Sequence, residues 1–173
     1  MSDTKETTAT FAAAVYHPAT GDRMALLKFV EKQKALNIRV GGVLQEAVFD
    51  ANGQMTGIDA VDVSSNRRIS ISRPAKNSRE CGLDVSALVQ TSRIIRQAIT
   101  DRVDLMVVEK FGDLEQDGKG LIDDIMQTIV EDIPLLISVP ESALTIWQER
   151  TGELGQVVDF SEQAFVDWWA SLG

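Results

Sequence analysis

Apolar and polar positions recur along this chain with two different periods, and the switches between them mark out the elements. Thr10–Tyr16 is a dense apolar run after a polar start and predicts a strand. Gly21–Leu36 puts Leu26, Leu27 and Val30 on one side and charged residues on the other, the spacing of an amphipathic helix. Ile38–Gln45 returns to branched residues and to strand. Its Gly41-Gly42 pair marks a place where a neighbouring backbone comes close. Asp50-Ala51-Asn52-Gly53 is turn chemistry. On either side of Ser64-Ser65-Asn66, Gly57–Val63 and Arg67–Ser72 alternate apolar and polar residues, as the arms of a half-exposed antiparallel hairpin do.

Arg73–Gly82, with Pro, Asn, Ser and Gly, predicts a loop, and Asp84 an N-cap. The helix it opens runs to about Thr100, with Leu88, Ser92, Ile95 and Ile99 along its buried side. Asp104–Glu109 has the apolar centre of a fully buried strand, followed by a Gly- and acid-rich loop over Phe111–Gly120. Ile122, Ile125, Met126 and Ile129 repeat at helical spacing, and Ile133–Val139 is the next buried strand. Pro140 stands where a helix N1 proline belongs, opening a helix that stops near Gly152. Gln156–Phe160 reads as a last short strand. Ser161 then caps a helix bearing Phe165, Trp168, Trp169 and Leu172, whose tryptophans fit core or lid packing, or a dimer contact. Strands alternating with helices predict an α/β fold: a mainly parallel sheet, helices on both faces and a β-hairpin insertion. One domain over residues 10–173 is expected, after a disordered N-terminal tail of residues 1–9.

Composition narrows the function classes. The 173 residues hold 17 Lys+Arg against 26 Asp+Glu, a net charge of −9, which argues against sequence-independent binding of nucleic acid or anionic lipid. No apolar stretch is long enough to cross a bilayer, and Met1–Thr10 does not read as a secretory signal, so a cytoplasmic protein is expected. One cysteine, Cys81, and one histidine, His17, exclude a disulfide scaffold and a Cys/His zinc cage. The oligomeric state is left open.

In an open α/β sheet, ligands sit beyond the carboxyl ends of the strands, which here points to three loops. The first is His17–Arg23. Laying the phosphate-loop pattern G-x-x-x-x-G-K-[ST] on it puts Tyr16 at the first Gly, Gly21 at the second, Asp22 at the Lys and Arg23 at the hydroxyl. A carboxylate there suits the helix dipole but repels a phosphate. The segment therefore reads either as an acidic first turn or as a non-standard anion site built on backbone amides, such as that of Gly21, and Arg23. His17, before Pro18, reads as a turn residue. The second loop continues a basic run, Arg67, Arg68, Arg73, Lys76 and Arg79. Its guanidinium groups suit an oxyanion, although a charged hairpin kept soluble accounts for them too. Cys81 follows, either a thiolate activated by those cations or a small buried contact.

The third loop, Lys110–Gly120, is the most informative. Glu109 ends a buried strand, where nucleotide enzymes hold Mg²⁺ through a carboxylate, and Glu115 is a second candidate acid. Gly118-Lys119-Gly120 opens a helix and can offer amides to an anion. A solvated acidic loop is the alternative reading.

Several phrases together resemble an uncharacterised bacterial family known as a domain of unknown function. They are Glu109-Lys110-Phe111-Gly112 with Glu115 and Gly118-Lys119-Gly120, Arg79-Glu80-Cys81-Gly82-Leu83-Asp84, Val139-Pro140-Glu141 with Trp147, and the terminal Trp pair. That family is similar to small P-loop nucleoside-triphosphatases, whose strand-end D-E-I-G falls on Glu109-Lys110-Phe111-Gly112. The resemblance implies a P-loop-NTPase-like three-layer sandwich and a link to molybdate uptake or molybdenum metabolism. It also puts Asp22 at the phosphate-loop lysine and Lys110 at the catalytic glutamate. The expectation is a nucleotide- or oxyanion-binding protein with a degenerate phosphate loop, using Gly21, Arg23, Arg73, Arg79, Lys110, Gly118, Lys119 and Gly120. Glu115 is expected to orient Lys110 or a metal. Mg²⁺ on Glu109 is the cofactor implied if a nucleotide binds. The alternatives are a Mg²⁺-dependent nucleoside triphosphatase or phosphotransferase, with Glu109 and Glu115 as its catalytic candidates, and a protein-interaction module without a small ligand.

Overall fold

The computed structural model describes residues 9–18, 24–73, 82–83 and 85–173, with backbone alone for 72, 73, 82 and 83. The predicted tail up to residue 8, Gly21, Asp22, Arg23, Lys76, Arg79, Cys81 and the Asp84 cap lie outside the described residues. In chain order the strands are β1 (Phe11–Tyr16), β2 (Val40–Phe49), β3 (Met55–Asp62), β4 (Arg68–Arg73), β5 (Gly82–Leu83), β6 (Leu105–Val108), β7 (Leu135–Pro140) and β8 (Gln156–Asp159). The helices are α1 (Ala25–Ala35), α2 (Val85–Thr100), α3 (Asp113–Gln116), α4 (Ile122–Val130), α5 (Leu144–Arg150) and α6 (Glu162–Ser171).

The strands form one sheet in the order β5-β4-β3-β2-β6-β7-β1-β8. From β2 to β8 every pairing is parallel, and from β2 to β5 every pairing is antiparallel. This is an α/β, P-loop-NTPase-like three-layer architecture. The period of two along each parallel strand assigns the layers. Ala13, Met106, Val108 and Ile137 face α2, α4 and α5, packing on Ile95, Ile125 and Trp147. Ala12, Leu105, Val107 and Leu136 face α1 and α6, packing on Leu26, Phe29, Phe165 and Trp168. Trp168 is core, and Trp169 is half-buried beside it at a ring-centroid distance of 6.2 Å.

Four elements differ from expectation. The hairpin is continuous with the sheet, because β2 runs four residues past Gln45 and pairs with β3 through the Asp50–Gly53 turn. Asp50 Oδ1 accepts from the Asn52 and Gln54 amides and fixes that turn. Pro140 finishes β7 with extended backbone (ψ 142°), ahead of a 3-10 turn over Glu141–Ala143, rather than opening the helix. Helix α2 turns Ala87, Thr91, Ile95 and Ala98 inward. Finally, the Phe111–Gly120 loop contains α3.

Candidate functional site

Helix α1 leaves β1 on one face of the sheet, whereas α5 leaves the neighbouring strand β7 on the other. The helices that follow β1 and β7 therefore lie on opposite faces, the arrangement in which open α/β sheets leave a crevice at the strand ends. The third strand end, that of β6, lies one position away. His17 Nδ1 and Glu141 Oε2 approach to 2.6 Å across the β1 and β7 ends, both more than half exposed.

Beyond β6 the chain is fixed at three points. Glu109 donates its amide to the Val43 carbonyl (2.9 Å), and the Glu109–Lys110 peptide is cis. Phe111 then turns fully inward, its ring edge-on to Trp147 at 5.3 Å and its amide donating to the Ser138 carbonyl at 2.9 Å. That is the first anchor. Glu115 is the second. Its Oε1 accepts from the Gly112 amide (3.1 Å), the N3-to-N-cap half of a capping box, and its Oε2 accepts from the Leu121 amide (2.9 Å). Gly120 (φ +59°) permits this contact, since a Cβ there would lie 1.8 Å from Glu115 Oε2. The third anchor is Arg150 of α5, which donates to the Gln116 carbonyl at 2.9 Å. Its guanidinium also passes beside Gly118 (φ +79°).

Glu115 is thus engaged through both carboxylate oxygens inside the loop, and among the described residues no ion pair involves it. Lys110 is half-buried with its stem along Gly112, and Lys119 is exposed; neither ammonium has an acidic partner among the described residues. Two cations on a fixed loop at a strand end, with no acidic partner among the described residues, are a favourable setting for an anion. Glu109 sits half-buried at the same edge. No group of three or more metal-ligating side chains occurs among the described residues.

One residue escaped sequence reasoning. Ser138, on β7 level with Ala14 of β1, is 1% exposed and its Oγ has no hydrogen-bond partner among the described residues. A buried hydroxyl without a partner is costly and calls for an explanation. In the sequence it is merely one polar residue within the apolar run Ile133–Val139.

The basic run is divided. Arg68 pairs with Glu46 (2.5 Å) and Asp59 (3.4 Å) across β2, β3 and β4, so its charge is engaged. Arg73 ends β4, which runs in the same direction as β6 but stands three positions away, beyond β3 and β2. Lys110, Gly118, Lys119 and Gly120 share one loop; Gly21, Arg23, Arg79 and Cys81 lie outside the described residues.

The family described as a protein of unknown function, DUF2478, matches residues 11–168, and this chain belongs to it. The chain is 33% identical over 159 residues to the molybdenum import ATP-binding protein ModC 2 of Bradyrhizobium diazoefficiens. That match takes in 91% of this chain and 18% of the relative. It is 28% identical over 119 residues to the nucleoside-triphosphatase THEP1 of Thermoplasma acidophilum, covering 66% of this chain and 65% of that one. The chain therefore spans under a fifth of the first relative's length and just under two thirds of the second's. No solved structure matches the chain. No helix among the described residues is long and apolar enough to cross a membrane.

Proposed function

We propose that this family member binds a nucleotide or a related oxyanion at the carboxyl ends of β1, β6 and β7, with a degenerate phosphate loop, in the service of molybdenum import or metabolism. The observation that carries the reading is the loop after β6: Phe111, Glu115 and Arg150 hold it in place while Lys110 and Lys119 keep ammonium groups without an acidic partner among the described residues. A loop already held in place lowers the ordering cost of binding to that of the two lysine side chains. The Ser138 hydroxyl supplies a buried donor at the neighbouring strand. The Gly21 amide, Arg23 and Arg79 complete the proposed anion contacts, and Gly118 and Gly120 give the loop its shape; Arg73, three strand positions from β6, stands outside them. The ATP-binding and molybdenum-import wording of the first relative's name favours the same ligand class and setting. Asp22 opposes hydrolysis, since it places a carboxylate where a phosphate needs a cation.

Calorimetric titration with Mg·ATP, Mg·GTP and molybdate tests the reading. At least one of them is expected to bind, and Lys110→Ala to weaken that binding by roughly 10-fold or more, the value of a charge-assisted hydrogen bond. Unchanged affinity in a folded Lys110→Ala variant overturns the assignment.

A second reading rests on Glu109, a carboxylate ending a buried strand beside β7, and on the nucleoside-triphosphatase among the relatives. In it Glu109 holds Mg²⁺ for a nucleoside triphosphatase or phosphotransferase. It expects Mg²⁺-dependent phosphate release that Glu109→Gln abolishes. Release at the level of a protein-free blank eliminates it.

A further inference from the structure

A groove of about 720 Å³ lies between α2 and the β3–β4 hairpin, apart from the strand ends that bear the proposed ligand site. One wall is the face of α2 from Ser86 to Gln97, which at 1.5 Å per residue extends about 16 Å. Arg93 stands midway along it, with Val89 one turn before, 49% exposed. The opposite wall carries Arg67 and the buried Ile69. Much of the positive charge elsewhere is engaged: Lys32 by Glu162, Arg68 by Glu46 and Asp59, Arg96 by Asp124, Arg102 by Glu131. Arg67 and Arg93 have no acidic partner among the described residues. Among the described lining residues the one acid is Asp62, whose Oδ1 accepts from the Ser64 amide (2.9 Å) and hydroxyl (3.1 Å) of its own turn. In a protein of net charge −9, this groove presents on its two walls two guanidinium groups that have no acidic partner among the described residues, with Val89 and Ile69 among its apolar lining.

We propose that the groove receives an extended acidic segment of a partner protein. Two of its carboxylates pair with Arg67 and Arg93, and an apolar side chain between them packs on Val89 and Ile69. About five extended residues, at roughly 3.3 Å each, match the length of the α2 wall. Guanidinium forks take carboxylates bidentately, and charge complementarity selects the partner. A groove of this volume, lined by cations from two separate elements, suits a polypeptide better than a compact anion.

The test is a ¹⁵N NMR titration of the full chain with the acetylated peptide Asp-Leu-Glu-Leu-Asp, beside Lys-Leu-Lys-Leu-Lys. The acidic peptide is expected to give saturable shifts confined to residues 67–69 and 86–97, and the basic one none. The double variant Arg67→Glu/Arg93→Glu loses about tenfold or more in affinity with an unchanged Tm. Arg67→Ala and Arg93→Ala each lose part of it. Lys110→Ala binds the peptide like wild type, so this site and the strand-end site fail or stand separately. No shifts at millimolar peptide, shifts elsewhere, or equal binding of the lysine peptide overturns the proposal. So does inorganic phosphate or ATP moving the same residues at lower concentration, which makes the groove a small-anion site.

Discussion

Glu115 is a carboxylate only 8% exposed with no cation paired to it among the described residues, and two backbone N–H groups, of Gly112 and Leu121, satisfy it instead. Removing it leaves both amides to find new partners at a buried position, the costly side of hydrogen-bond energetics. Glu115→Ala is therefore expected to lower stability by about 2–4 kcal/mol in urea unfolding. Glu115→Gln should lose less, because its amide keeps one acceptor while turning N–H toward N–H at the other end. Gly120→Ala is destabilising too, through its φ of +59° and the clash of a new Cβ with Glu115 Oε2. Those two costs share an atom. The double variant Glu115→Ala/Gly120→Ala should therefore be less destabilised than the sum of the singles, by about 1 kcal/mol or more. Strict additivity in a double-mutant cycle would remove Glu115 from its role as the buckle of this loop.

The elements that periodicity marks strongly were legible, and so was one close contact. Gly41-Gly42 interrupts a branched strand, and a Cβ on Gly42 would lie 1.9 Å from the Val107 carbonyl oxygen of β6. The inward face of α2 was harder to read. Its stripe of Ala87, Thr91, Ile95 and Ala98 is less apolar than Leu88, Ile95 and Ile99, yet the small residues face the sheet where Gly41 lets Ala98 come close. Ser92 turns sideways instead, donating to Asp124 of α4 at 2.5 Å. Helix α3 is four residues long and depends on Glu115 reaching Leu121, a contact beyond any local pattern. Pro140 satisfies the local preference for N1 equally well as the end of a strand, and its pairing opposite Tyr16 decides. The candidate site was legible as a set of loops and not as an arrangement. Which loops meet depends on β7 lying between β6 and β1, a strand order set by crossovers rather than by any residue within them. The same holds for Ser138, whose burial follows from its place in the central strand β7.

A net charge of −9 acts against any anionic ligand at long range, so binding at the strand ends must come from close contacts that the charge of the whole chain does not cancel. Close contacts to the folded form alone raise stability by mass action. A ligand present at about a hundred times its Kd adds roughly 2.7 kcal/mol, which for a chain of this length moves Tm by about 5–10 °C. Thermal unfolding against ATP, GTP and their diphosphates with Mg²⁺, and then against molybdate, tungstate, sulfate and phosphate, turns this into a choice of ligand class. The nucleotides are expected to shift Tm if the base and ribose contribute, and the tetrahedral oxyanions alone if the site holds a bare dianion. In either case the shift should shrink in Lys110→Ala and persist in Arg67→Glu, because Lys110 belongs to the strand-end loop and Arg67 to the groove along α2. A shift that Arg67→Glu removes and Lys110→Ala leaves intact would move the small-ligand site from the strand ends to the groove. No shift with any of these ligands would take the small-anion reading away and leave the acidic-peptide groove as the binding surface.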